Sequence, residues 1–82
     1  MTLGSRALAY LKLKQPDQAI ADYDAALKLT PQSASSLFGR GVAKRMKGDV
    51  SAAGYIAAAQ AINAGVAEQF EKYGVPDATM TE

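Results

Sequence analysis

LGSRALAYLKLKQPDQAIADYDAALKLTP, residues 3–31, carries the reading of this chain. Leu3, Ala7, Tyr10 and Lys14 fall along one row, with Leu8 and Leu11 beside it. That spacing predicts a helix over residues 2–14 rather than a strand. Lys14-Gln15-Pro16-Asp17 reads as a turn. Proline suits a first helical turn, where its missing N–H would be unpaired anyway. Asp17 adds a negative charge at the positive end of the helix dipole. A second helix is expected over residues 16–29, because Ala19, Ile20, Tyr23, Ala26 and Leu27 form one apolar face. Asp22 and Asp24 are expected to face solvent. Thr30-Pro31 ends the helix, since a residue before proline is pushed out of helical geometry.

The pattern recurs. At an offset of 34, Ser5-Arg6-Ala7-Leu8-Ala9 lies over Gly39-Arg40-Gly41-Val42-Ala43, and Leu3 lies over Leu37. Ser33 is an expected N-cap for a third helix over 34–47. Gly48-Asp49 is the matching turn, and a fourth helix is expected over 50–63. In that helix the repeat weakens. Ala53 falls at the position of Ala19, but Ala57 replaces Tyr23, Gln60 replaces Ala26 and Gly65 replaces Pro31. An insertion of one residue between 47 and 55 would restore part of the match. Gly65 is expected to close the fourth helix in left-handed geometry. Residues 66–73 then form a short fifth helix with Gly74 as its cap.

These residues resemble the tetratricopeptide repeat, a helix-turn-helix unit of 34 residues. Leu3, Ala7, Tyr10, Ala19, Tyr23 and Pro31 stand where that family places a large residue, a small residue, tyrosine, alanine, an aromatic and a closing proline. The resemblance implies an all-α fold, a right-handed superhelical stack of antiparallel helix pairs with about five helices. It divides the chain into a repeat at 1–33, a degenerate repeat at 34–65, a capping helix at 66–74 and a flexible tail at 75–82. The uncapped first helix is expected to follow further repeats, so that this chain is the C-terminal end of a longer array.

The same resemblance implies a concave groove lined by the first helix of each pair. By that carry-over, Gly4, Leu8, Leu11 and Lys12 line it from the first unit. Phe38, Val42, Arg45 and Met46 line it from the second. Some family members grip a C-terminal carboxylate with Lys, Asn and Arg at set groove positions. This chain has Gly4, Leu8, Phe38 and Val42 there, which argues against that ligand. The function implied is a non-catalytic module or scaffold that binds a peptide or protein segment. The alternative is a structural unit that self-associates through its exposed repeat face into a homo-oligomer, since about three repeats are normally needed for stability.

Composition narrows the classes further. The 82 residues hold no cysteine and no histidine, so no metal site, cofactor or neutral-pH general base is expected. Ser33, Ser35 and Ser36 lack a base partner, and Asp22 and Asp24 diverge on a helix, so no enzyme activity is expected. Arg6 and Arg40 recur at one repeat position, where packing of the stem and a local ion pair are expected. A net charge of +1 and a pI near 8.0 do not suggest a nucleic-acid partner. No apolar run approaches membrane-spanning length, and no signal peptide is legible, which favours a cytoplasmic setting.

Overall fold

The computed structural model describes residues 3–75, and these form α1 (Leu3–Lys12), α2 (Pro16–Leu29), α3 (Ala34–Met46), α4 (Ala52–Ile62) and α5 (Val66–Lys72). There is no strand among the described residues. Consecutive helices pack on one another, so short turns make each pair antiparallel, and α5 rests on α3 and α4. The first residue of the expected tail, Val75, is packed against the fold. It is buried, with its N–H donating to the Phe70 carbonyl at 3.2 Å, while residues 76–82 lie outside the described part.

The two hairpin turns share a backbone device. In the first, the N–H of Gln15 donates to the carbonyl of Tyr10 at 2.8 Å, with Lys14 at φ +59°. In the second, the N–H of Asp49 donates to the carbonyl of Lys44 at 3.0 Å, with Gly48 at φ +76°. Glycine adopts this geometry freely, whereas a lysine there stores about 1–2 kcal/mol of backbone strain. The repeats diverge just after this point. The buried residues Ala52 and Ile56 of α4 stand 33 positions after Ala19 and Tyr23, not 34. The second unit is therefore shortened by one residue, where an insertion was expected, and Ala53 and Ala57 point to solvent. The Asp49 side chain stabilises this tighter entry. Its Oδ1 accepts from the Ser51 N–H at 2.9 Å and from the Ser51 hydroxyl at 2.8 Å.

Caps close the remaining ends. Ser33 Oγ accepts from the Ser36 N–H at 3.3 Å, as an N-cap should. Gly65 is not left-handed, contrary to expectation. Its φ is −90°, and the turn is held instead by Asn63 Oδ1, which accepts from the Gly65 N–H at 3.0 Å. Gly74, at φ +81°, ends α5.

Close approach between helices depends on two glycines of α3. A Cβ at Gly39 would lie 2.1 Å from Cζ of Tyr23, so the Tyr23 ring fills the space a side chain would need. A Cβ at Gly41 would meet Cγ1 of Ile56 at 2.7 Å and the Ala52 carbonyl oxygen at 3.2 Å. Around these contacts Ala7, Leu11, Tyr23, Phe38, Val42, Val66 and Phe70 form one core. Gly39→Ala should therefore overpack the α2–α3 seam and cost about 1–3 kcal/mol. Gly54→Ala, where a new Cβ meets nothing within 4 Å, should gain up to about 1 kcal/mol of helix propensity. Thermal melts of the two variants should shift in opposite directions, by roughly 4–8 °C per kcal/mol in a domain this size.

Candidate functional site

A cleft of about 390 Å³ opens between α1 and α5. Gly4, Ser5 and Leu8 of α1 form one wall, and Phe70 and Tyr73 form the other. Ser35 and Ser36, in the first turn of α3, and Tyr23 of α2 complete it. Helical spacing explains the grouping. Gly4 and Leu8 are one turn apart on α1, and Phe70 and Tyr73 are three apart at the end of the chain's last helix. Among the described residues that line it there is no lysine, arginine, aspartate or glutamate. Burial, and to a lesser degree the neighbouring Asp22 charge, push the Tyr23 phenol up, which keeps it neutral.

The structure places the expected groove residues unevenly. Leu8 lines the cleft and is half-buried. Leu11, Phe38 and Val42 are fully buried, so their expected exposure in a groove is overturned. For Phe38 the cause is α5, which lies against α3 and brings the Phe70 ring to 4.9 Å from the Phe38 ring, tilted at 57°. An aromatic pair in this geometry adds about 0.5–1.5 kcal/mol beyond the area it buries. Met46 packs half-buried against the same core, and Arg45 is also half-buried. Lys12 is exposed, with its stem beside Gly74: a Cβ there would lie 3.7 Å from Lys12 Cε. Ser35, Ser36 and Tyr73 were not expected at a site. Their signal lies in where α5 docks, which helical periodicity alone does not encode.

The ion pairs among the described residues lie on the seams and turns, and none of their members lines the cleft. Asp22, expected in solvent, is only 6% exposed. Its carboxylate accepts from Arg6 Nε and Nη2, each at 2.7 Å, a bidentate pair between α1 and α2. Asp24, two residues on, faces the other way and pairs with Arg40 of α3. The Arg40 guanidinium also lies 4.2 Å from the centre of the Tyr55 ring. Both arginines thus make the local pairs expected of them. Lys47 joins Asp17 across the two hairpin turns. Among the described residues no group of three or more acids could hold a metal ion, and no helix is long and apolar enough to cross a membrane.

The described residues form stacked helical hairpins, the architecture of a helical repeat protein. Residues 1–33 match the family profile of the tetratricopeptide repeat, so the first hairpin is similar to that repeat. No curated protein and no solved structure gives a significant match.

Two measurements follow from these placements. Phe38→Ala should cost about 3–5 kcal/mol, as truncation of a buried aromatic does. It should broaden or abolish the cooperative melt followed by circular dichroism. Acid should also weaken the fold. The hydrogen bonds from Arg6 hold the Asp22 carboxyl below the usual carboxylate range, and those from Ser51 bring Asp49 down to about 2. A carboxylate with a lowered pKa stabilises the fold fully above its unfolded value. That contribution is lost as pH falls through the folded value. Stability should therefore fall below about pH 4, the ordinary aspartate range. Asp22→Asn should be less stable at neutral pH and show a shallower acid decline in urea titrations across that range.

Proposed function

We propose that this chain is a non-catalytic interaction module whose cleft between α1 and α5 receives a segment of a partner protein. The observation that carries this reading is the cleft itself. It is open, about 390 Å³ in volume, and walled by two helices that send Ala7, Leu11, Val66 and Phe70 into the core. That volume falls within the ~300–1,000 Å³ range of natural binding pockets. The similarity of residues 1–33 to a family of binding repeats agrees with it.

Self-association through the open flank of the first hairpin draws less support. The large exposed apolar side chains Leu13, Leu29, Val50 and Ile62 sit at helix ends and turns rather than along the flank of α1. Apolar residues scattered singly on a surface are ordinary.

Gly4 supplies the test. A Cβ at this position meets nothing within 4 Å, so Gly4→Phe places a ring into the cleft without disturbing the helix. Peptides selected from a random displayed library on the wild-type chain should bind Gly4→Phe at least about tenfold more weakly, a loss of ~1.4 kcal/mol. Gly54→Phe, the same change on exposed α4, should leave binding intact. Selection of no peptide sensitive to Gly4→Phe would refute the groove.

A further inference from the structure

Three tilted rings run from the core to the surface. The Phe38 and Phe70 centroids are 4.9 Å apart, and the Phe70 and Tyr73 centroids are 5.8 Å apart at an interplanar angle of 59°. Phe38 is fully buried, whereas Tyr73 is 47% exposed and forms part of the cleft wall. Rings prefer such offset and edge-to-face arrangements because their faces are negative and their edges positive. The series stops at Tyr73, and the cleft opens next to it.

The chemistry of the cleft restricts what can continue the series. Among the described residues that line it, none is a lysine, arginine, aspartate or glutamate. A carboxylate or ammonium entering there would lose water with no opposite charge to replace it. The start of α3 supplies a partial positive charge through its dipole. One of its first-turn N–H groups is already satisfied by Ser33 Oγ. The N–H groups that remain can donate to the oxygen of a tyrosine hydroxyl. The exposed Ser35 hydroxyl offers a further hydrogen bond at the same end.

We propose that the cleft receives one uncharged aromatic side chain of a partner peptide, seated beside Tyr73 as the next ring of the Phe38–Phe70–Tyr73 series. This rests on the groove reading above and specifies the residue the groove selects.

The library selection separates the two. Sequenced peptides sensitive to Gly4→Phe should share a tyrosine, phenylalanine or tryptophan. Replacing that residue with alanine should weaken binding roughly tenfold or more, and phosphorylating a shared tyrosine should weaken it as well. Tyr73→Ala in the protein should weaken the same peptides, while circular dichroism confirms that the helices persist. In ¹H–¹⁵N spectra, titration with N-acetyl-tyrosinamide should move the amides of Gly4, Leu8, Ser35 and Tyr73 in the wild type and not in Gly4→Phe. Peptides blocked by Gly4→Phe but anchored by acidic or aliphatic residues would overturn the aromatic inference and leave the groove standing. The absence of any peptide that Gly4→Phe blocks would remove both.

Discussion

The Tyr23 ring occupies the place where a Cβ of residue 39 would have to be. This contact joins the last helix of one hairpin to the first helix of the next, and much else depends on how closely they approach. With α2 drawn onto α3, Asp24 reaches Arg40. The same ring, buried on both sides, also contributes to the cleft. Packing of this kind is unforgiving, because protein interiors are as dense as organic crystals and a single methyl group is felt. In a domain of this size the margin is small: net stability is about 0.05–0.15 kcal/mol per residue.

The second hairpin solves the same problem with different residues. Gly41 admits Ile56, as Ala7 admits the first pair's α2, but Ile56 is one residue early relative to Tyr23. The ion pairs report the same shift. Arg6 meets Asp22, while Arg40, its repeat counterpart, meets Tyr55, which stands 33 residues after Asp22. A carboxylate in the first unit is replaced by an aromatic face in the second. A guanidinium over such a face is worth about 0.5–2 kcal/mol, depending on how dry it is. Arg40 is thereby left able to reach back to Asp24. The weakened repeat is a coherent alternative rather than a decayed copy.

Much of the fold was legible because it is local. Pro16, Thr30-Pro31, Ser33 and Gly48 mark helix ends by their own backbone chemistry, and small residues at Ala7 and Gly41 mark close contacts. The register of α4 was harder to read, since nearly every position between 52 and 61 is small or apolar and any one-residue shift finds an alanine. Asp22 looked like a surface residue because its partner lies 16 positions away on another helix. Phe38 is the instructive case. Its position on α3 pointed toward a groove. Docking of α5 then covers it, a tertiary event to which the periodicity of α3 is blind.

That docking also decides the character of the surface that remains. Phe70 seals the part of α3 that carries Phe38 and Val42, so the apolar half of the expected groove is consumed by the core. What stays open is the N-terminal end of α3, with its serines, facing a short stretch of α1. Among the described residues, the ion pairs Arg6–Asp22, Arg40–Asp24, Lys44–Asp49 and Lys47–Asp17 bridge helices or turns, and none of their members lines the cleft. Electrostatics and recognition are thus held in separate parts of a small molecule. Acid and salt act first on the seams that set helix spacing, and they reach the cleft only by loosening its walls.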